Sequence, residues 1–218
     1  MSYRRTFYDK FISNFNQLKF SITEPIKVKY ARFRFECNYV KSQKNPLVSI
    51  CIPTFNRGPI LVDRAIKSAL SQTYQNIELI VVGDCCTDNT EELIAKIKDP
   101  RLKFYNMKKR ERHYPQNIEN HWFVGGAAPT NMAMDLASGL WIARLDDDDT
   151  WTPDHIEKLL KFAIDKNYEF VSGLYEEERF GKRKIVQGRM AMDKYYTRTT
   201  SIKSPKIGGV STWLYMSY

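Results

Sequence analysis

The sequence predicts an α/β fold, a mostly parallel sheet with helices on both faces. Three observations predict it. Short runs rich in Val, Ile and Leu alternate with longer stretches whose apolar residues recur at helical spacing. The short runs are apolar at successive positions, as strands covered on both sides are. The alternation repeats down the chain, which calls for right-handed βαβ crossovers and hence parallel neighbours.

Taken in order, Leu47–Ile52 is a buried strand stopped by Pro53. Residues 59–71 read as a helix with Ile60, Leu61, Ala65, Ile66, Ala69 and Leu70 on one side. Ile77–Val82 is a second buried strand, and Thr87–Lys98 a second helix with Asp88 and Glu91 near its positive end. Leu102–Asn106 is a third, shorter strand. The polar stretch Met107–Gly126 is too long for a mere connector. Ala127–Ser138 returns to helix, Leu140–Leu145 to strand, and Pro153–Asp165 to helix with proline in the first turn. Tyr168–Gly173 is another strand, and the charged stretch 175–189 an exposed hairpin or loop.

Residues 1–45 form a separate, basic and aromatic extension ahead of a domain spanning 46–218. They hold ten Lys and Arg against three acidic residues, so +7 of the net +9 charge sits there. Phe7, Phe11 and Phe15 recur at helical spacing beside Tyr8, predicting an amphipathic helix over 5–19. Its apolar face either packs on the main domain or makes a peripheral contact with anionic lipid headgroups.

Several function classes are excluded. No apolar run approaches the roughly 18–20 residues that span a bilayer, and Met1–Lys10 lacks the apolar core of a secretory signal. The expectation is a cytoplasmic chain, peripheral at most on the inner face of a membrane. Cys37, Cys51, Cys85 and Cys86 lack zinc-site spacing and read as reduced thiols. No Gly-rich P-loop or Ser/His/Asp nucleophile pattern occurs. A charge excess confined to the front argues against a uniform nucleic-acid surface.

In parallel sheets ligands bind beyond the carboxyl ends of the strands. Here the first strand ends at Pro53-Thr54-Phe55-Asn56, the second at Gly83-Asp84, and the fourth at Asp146-Asp147-Asp148-Asp149. Four consecutive aspartates repel one another unless a cation or solvent relieves them. If the strand continues through the run, Asp146 and Asp148 share a face with Cα atoms roughly 6–7 Å apart. Such hard oxygen ligands suit Mg²⁺ or Mn²⁺. A solvated acidic turn would explain the run in isolation, but its place after an apolar strand favours a site.

Three stretches carry a resemblance: PLVSICIPTFNR (46–57), AIKSALSQTYQNIELIVVGDCCTDNT (65–90) and GGAAPTNMAMDLASGLWIARLDDDDTWTP (125–153). Together and in this order they resemble the family-2 glycosyltransferases of the GT-A (Rossmann-like) fold. That resemblance implies sugar transfer from a nucleoside-diphosphate sugar, with Mn²⁺ or Mg²⁺ on the diphosphate, to a glycan, lipid-linked or protein acceptor. Pro53, Thr54, Phe55 and Asn56 match the segment that lines the nucleotide base, and Asp84 the acidic residue that hydrogen-bonds it. Asp146-Asp147-Asp148 matches the Asp-X-Asp segment. Asp148 is then the metal ligand, with Asp146 as its companion, and Asp146 or Asp147 positions ribose and sugar. Asn131 matches an asparagine near the donor.

The sequence departs from the pattern at three places. Gly83 replaces the first acidic residue of an Asp-Asp pair, Cys85-Cys86 replace Gly-Ser, and Thr130 stands where an arginine commonly precedes Asn131. The general base is unassigned: the family's carboxylate follows a strand that residues 207–215 resemble, so the acceptor part is expected to be incomplete at Tyr218. Asp193 and Glu176–Glu178 are the remaining acidic candidates. A binding module without turnover is the competing expectation, whereas a GT-A-like nucleotidyltransferase would need a Gly-rich, Arg-containing loop after the first strand. His113, His121 and His155 are expected at the surface. His121-Trp122-Phe123 is either a stacking platform or a hydrophobic plug, and Trp151 and Trp213 are expected to build the acceptor side.

Overall fold

The computed structural model describes residues 7–41, 44–109, 126–186, 189–190, 206–207 and 210–217. They fall into two compact units, Met1–Lys44 and Asn45–Ser217. The described residues of the first include one helix, α1 (Phe7–Lys41), far longer than the amphipathic stretch 5–19 that the aromatic spacing marks. Pro25 lies inside it. Proline removes one i→i−4 donor there. Phe11, Phe15, Leu18, Ile22, Ile26 and Phe33 are all exposed along α1.

The second unit is built on a six-stranded sheet. Its strands are β1 (Val48–Thr54), β2 (Ile77–Gly83), β3 (Leu102–Asn106), β4 (Trp141–Arg144), β5 (Phe170–Ser172) and β10 (Trp213–Met216). The order across the sheet is β3-β2-β1-β4-β10-β5. β1 pairs in parallel with both β2 and β4, and β2 with β3. Only β10 runs antiparallel, inserted between β4 and β5. Every residue of β1 and β2 is buried, the consequence of cover on both faces.

Side-chain alternation sorts that burial into two cores. Val48, Ile50 and Ile52 of β1, with Leu79 and Val81 of β2, meet Leu61, Ala65, Ile66, Ile156, Leu160 and Ala163 on one face. Cys51, Ile80, Val82 and Ile142 meet Ala133 on the other. The first face is covered by three elements. A continuous helical run comprises α2 (Gly58–Leu61), a π-helical turn (Val62–Ile66) and α3 (Lys67–Leu70); α4 (Thr90–Ala95) and α6 (His155–Lys166) complete it. The second is covered by α5 (Ala127–Leu136).

Several boundaries move for local reasons. The second helix shrinks from Thr87–Lys98 to Thr90–Ala95 because Asp88 folds back on it. Its Oδ1 accepts from the N–H and hydroxyl of Thr90, and Oδ2 from the Gly58 N–H at 3.3 Å. The charged stretch is a hairpin of β6 (Tyr175–Arg179) and β7 (Lys182–Val186), turned at Phe180-Gly181, both at positive φ. A small pair, β8 (Arg189–Met190) with β9 (Lys206–Ile207), follows it. Within 207–215 the strand is shorter than expected, because residues 210–212 form a 3₁₀ turn before β10.

Candidate functional site

Because β2, β1 and β4 are parallel neighbours, their carboxyl ends share one rim. Thr54 closes β1 opposite Gly83, and Arg144 closes β4 opposite Cys51. The Asp84 N–H donates to the Thr54 carbonyl at 2.8 Å, which ties the two loops together at their roots. A cleft of about 320 Å³ opens above this rim. Pro53, Thr54, Phe55, Asp84, Asp146, Asp147 and Asp148 line it, together with Arg57, Gly126, Pro129 and Arg144.

The aspartate run does not continue as strand. The Asp149 N–H closes a turn on the Asp146 carbonyl at 3.1 Å, so the carboxylates fan out instead of alternating. Asp146 faces Arg144, whose Nη2 donates to its Oδ1 at 3.0 Å. Burial pushes the Asp146 carboxyl upward, and the nearby Asp149 and Asp148 charges add to it against the pull of Arg144. Asp147 is buried and accepts from the Thr54 hydroxyl at 2.8 Å. Arg57 then joins Asp147 to Asp148: its Nη1 donates to Asp147 Oδ1 at 3.0 Å and to Asp148 Oδ2 at 2.8 Å. The Asp147 charge raises the Arg57 pKa further, so this side chain is a permanent cation. Arg64 adds a contact from its Nη1 to the Asp148 carbonyl at 3.1 Å.

The turn gives the carboxylates different partners. Asp146 is committed to Arg144, whereas Asp147 and Asp148 share one cationic partner. Among the described residues no three His, Cys, Asp or Glu groups converge to hold a metal unaided. A hard divalent ion bound through one or two carboxylates, with phosphate oxygens and water completing its sphere, needs no such trio. The donor set of Asp147 and Asp148, already bridged by one positive group, fits that mode.

The other expected residues fall as follows. Asn56, at φ 51°, does not line the cleft. Its Oδ1 accepts from the Thr87 N–H at 2.8 Å and its own N–H donates to Cys86 Sγ at 3.4 Å, so it clamps the first loop to the second. Asn131 is exposed on α5 and also lies outside the lining. Glu176–Glu178 stand on the β6–β7 hairpin away from the lining, with Glu178 paired to Arg183 at 3.1 Å. Asp193, His113, His121, Trp122 and Phe123 lie outside the described residues. His155 is not the surface residue expected: its ring stacks on Trp151 at 4.7 Å, and burial lowers its pKa to about 4. Trp151 itself is core, its indole N–H donating to the Ser211 carbonyl.

Gly83 has a packing explanation. A Cβ there would come within 2.8 Å of Asn106 Oδ1 and 2.9 Å of Cys86 Sγ. The Asn106 amide in turn holds the Cys85-Cys86 loop, accepting from the Cys86 N–H at 2.8 Å and donating to the Cys86 carbonyl at 2.9 Å. Sequence reasoning missed Arg57, Arg144 and Ser211. Arg144 had a signal, since it ends β4 two residues before Asp146. Ser211 had none: its hydroxyl accepts from the Asp146 N–H at 3.0 Å and donates to Asp149, across more than 60 residues.

The model of Glycosyl transferase family 2 matches residues 49–215. The chain belongs to this glycosyltransferase family. Two Escherichia coli relatives are named UDP-Glc:alpha-D-GlcNAc-diphosphoundecaprenol beta-1,3-glucosyltransferases. WfaP is 36% identical over 135 residues, 62% of this chain and 48% of its own, and WfgD is 34% identical over 130 residues, 60% and 46%. The glycosyltransferase chain thus spans about half the length of the curated relatives it matches. Among solved structures, S. aureus TarS 1-349 in complex with UDP-GlcNAc superposes with a TM-score of 0.55 at 17% identity. The match covers 78% of this chain and 45% of that one, and it identifies the fold as GT-A.

Proposed function

We propose that this glycosyltransferase moves a sugar from a nucleoside-diphosphate sugar to a lipid-linked acceptor, with a glycan or protein as the broader alternatives, and that it uses Mn²⁺ or Mg²⁺. One observation carries the reading: a single cleft at the carboxyl ends of three adjacent parallel strands gathers Thr54, Phe55, Asp84 and Asp146–Asp148. In it Pro53, Thr54 and the half-exposed Phe55 would border the nucleoside, with Asp84 as hydrogen-bond acceptor for the base. Asp146, held by Arg144, would meet ribose or sugar hydroxyls, and Asn131 would stand near the donor. Asp148, with Asp147 beside it, would hold the cation. When bound, that cation stabilises the negative charge growing on the leaving diphosphate. Gly126 and Pro129 bring the positive end of α5 to the same wall, which favours an anion there.

The UDP-Glc and diphosphoundecaprenol in the two relatives' names support a UDP-sugar donor and a lipid-linked acceptor. The decisive experiment is a thermal-shift and turnover screen of UDP- and GDP-sugars with and without Mn²⁺. Ligand-induced stabilisation that depends on Mn²⁺ is the expected result, followed by release of nucleoside diphosphate. Stabilisation without turnover on any acceptor would favour a binding module instead. The acceptor hydroxyl needs a base within hydrogen-bond reach, and the carboxylates lining this cleft are taken up by the donor side.

The proposal extends to location. No helix among the described residues is long and apolar enough to cross a membrane. The exposed stripe Phe11, Phe15, Leu18, Ile22, Ile26 and Phe33, on a segment of net charge +7, suits peripheral contact with the anionic cytoplasmic leaflet. Loss of binding to anionic vesicles on deleting 1–45 is expected; unchanged binding would end that idea.

A further inference from the structure

The bridge made by Arg57 is built in an unusual way for a clamp. Both carboxylates are contacted by one nitrogen, Nη1, at 3.0 and 2.8 Å. A guanidinium carries five N–H donors in a planar fork, and its strong carboxylate pairs engage two of them in parallel. Here Nε and Nη2 make no hydrogen bond among the described residues. The Arg57 side chain is half-exposed, as is Asp148, whereas Asp147 is held from behind by Thr54. The backbone of Arg57 is fixed, because its carbonyl accepts the Leu61 N–H at 2.9 Å as the first turn of α2 begins. The Arg57–Asp148 pair faces solvent and breaks at little cost, whereas the buried Asp147 carboxylate keeps its Thr54 hydrogen bond when Arg57 leaves. Arg57 is thus a tethered cation on a long side chain, loosely held, at the wall of the cleft.

We propose that Arg57 is the exchangeable counter-charge of the donor site: it holds Asp147 and Asp148 together until a divalent cation takes them over, and it then pairs with the diphosphate of the donor. The inference rests on the nucleoside-diphosphate reading above. Arg57 Nη1 occupies Asp147 Oδ1 and Asp148 Oδ2, so a divalent ion that takes those two oxygens must displace it. A nucleoside diphosphate arriving with its ion brings phosphate oxygens within the sweep of the released side chain. The free fork matches phosphate geometry, with two parallel donors where Asp147 and Asp148 each received one shared nitrogen. Charge balance points the same way. The cleft is lined by Asp84, Asp146, Asp147 and Asp148 against Arg57 and Arg144, and Arg144 is already engaged with Asp146. Once a divalent ion has neutralised Asp147 and Asp148, Arg57 is the lining cation left to meet the added phosphate charge.

The test is a pair of titrations on the full chain and on Arg57→Gln and Arg57→Lys. Mn²⁺ alone is titrated by the loss of its free paramagnetic resonance signal, and UDP and GDP are titrated calorimetrically at saturating Mn²⁺. The expected signature is opposite in sign. Arg57→Gln binds Mn²⁺ alone about 3- to 10-fold more tightly, because the competing cation is gone. It binds the nucleoside diphosphate at least about tenfold more weakly, while affinity for uridine or guanosine, which lack phosphate, stays unchanged. Arg57→Lys falls between the two on both measures, having charge without the fork. If Arg57→Gln weakens Mn²⁺ and diphosphate alike, Arg57 merely organises the acidic turn and the proposal is overturned. It is equally overturned if diphosphate affinity does not change. Should the unaltered chain bind neither UDP nor GDP with Mn²⁺, the nucleoside-diphosphate reading itself fails, an outcome distinct from a bound nucleotide indifferent to Arg57.

Discussion

The hydroxyl of Thr54 donates to Asp147 Oδ2 at 2.8 Å, joining the end of β1 to the acidic turn after β4 across 93 residues of sequence. Both residues are buried, so the bond is shielded from water and fixes where the second carboxylate of the run stands. Thr54→Val keeps the shape and removes the donor. Losing a hydrogen bond to a charged, buried group costs about 1.5–3 kcal/mol. For a chain of this size that is a fall in Tm of roughly 3–12 °C. Thr54→Ser keeps the oxygen and is expected to stay within about 1 kcal/mol of the parent. A thermal melt of the valine variant that matches the parent would show the bond to be unimportant.

Asp148 and Asp84 separate the two halves of the proposed donor site. Asp148 is half-exposed and its carboxylate touches only Arg57 among the described contacts. Asp148→Ala therefore leaves Tm within about 2 °C, as surface substitutions do, yet abolishes Mn²⁺-dependent nucleotide binding. Asp84→Ala weakens nucleoside binding about tenfold, one charged hydrogen bond's worth, while the Mn²⁺ requirement persists. Calorimetric titration of UDP or GDP with and without Mn²⁺ reads both. Retained Mn²⁺ dependence in Asp148→Ala would remove this residue from the metal assignment.

Much of this was legible in the chain. β1 and β2 stood out because cover on both faces makes strands apolar throughout, and the rim followed from the parallel order. The acidic turn was not legible, since the periodicity of an extended strand carries no information about where extension stops. The Asp146 and Asp148 carboxylates therefore meet different arginines, Arg144 and Arg57, although both line the cleft. β10 lies between β4 and β5 through pairings more than 40 residues distant in sequence, which no local pattern encodes. The length of α1 was also missed: the apolar stripe continues beyond Leu18 through Ile22, Ile26 and Phe33, but Pro25 reads as a helix boundary.

Stability at low pH should be governed partly by Glu78, on the cleft-distal side of β2. Burial pushes its carboxyl up, but bonds from Lys103, Ser49 and Ser138 outweigh that and hold it at about 2. A carboxyl with a depressed folded pKa contributes stability above its unfolded value of 4.5, lost as pH falls toward 2. Melting temperature should therefore drop progressively from about pH 4.5 downward. In Glu78→Gln that slope is shallower and the neutral-pH Tm lower. An identical acid profile in the two proteins would exclude Glu78 as a contributor.

Gly139 is predicted to be intolerant of any side chain. An added Cβ would lie 2.6 Å from Ser49 Oγ, 2.7 Å from the Ser49 nitrogen and 2.8 Å from the Leu47 carbonyl, the last two being backbone in β1 and in the residue just before it. The same Ser49 hydroxyl accepts the Gly139 N–H at 2.8 Å and donates to Glu78. Gly139→Ala must push the α5–β4 connection off β1, at about 1–3 kcal/mol. Denaturant unfolding measures it; a midpoint equal to the parent's would show that the connection yields freely.

Ser211 is the last test, because it links the segment before β10 to the acidic turn. It is buried, accepts the Asp146 N–H at 3.0 Å, donates to Asp149, and offers its carbonyl to the Trp151 indole. Ser211→Ala removes the first two links and leaves the third, which is made by backbone. Two lost bonds, one to a carboxylate, lower stability by about 2–3 kcal/mol. A purely structural role would end there. If Ser211 also sets the position of the turn, affinity for UDP or GDP with Mn²⁺ falls several-fold while metal-independent nucleoside binding is kept, since Thr54 and Asp84 stand on the other strands. Ser211→Thr, which retains the oxygen, should restore the metal-dependent affinity even where its extra methyl group costs stability. Loss of stability in Ser211→Ala with unchanged Mn²⁺-dependent binding would confine this serine to holding β10 in the sheet.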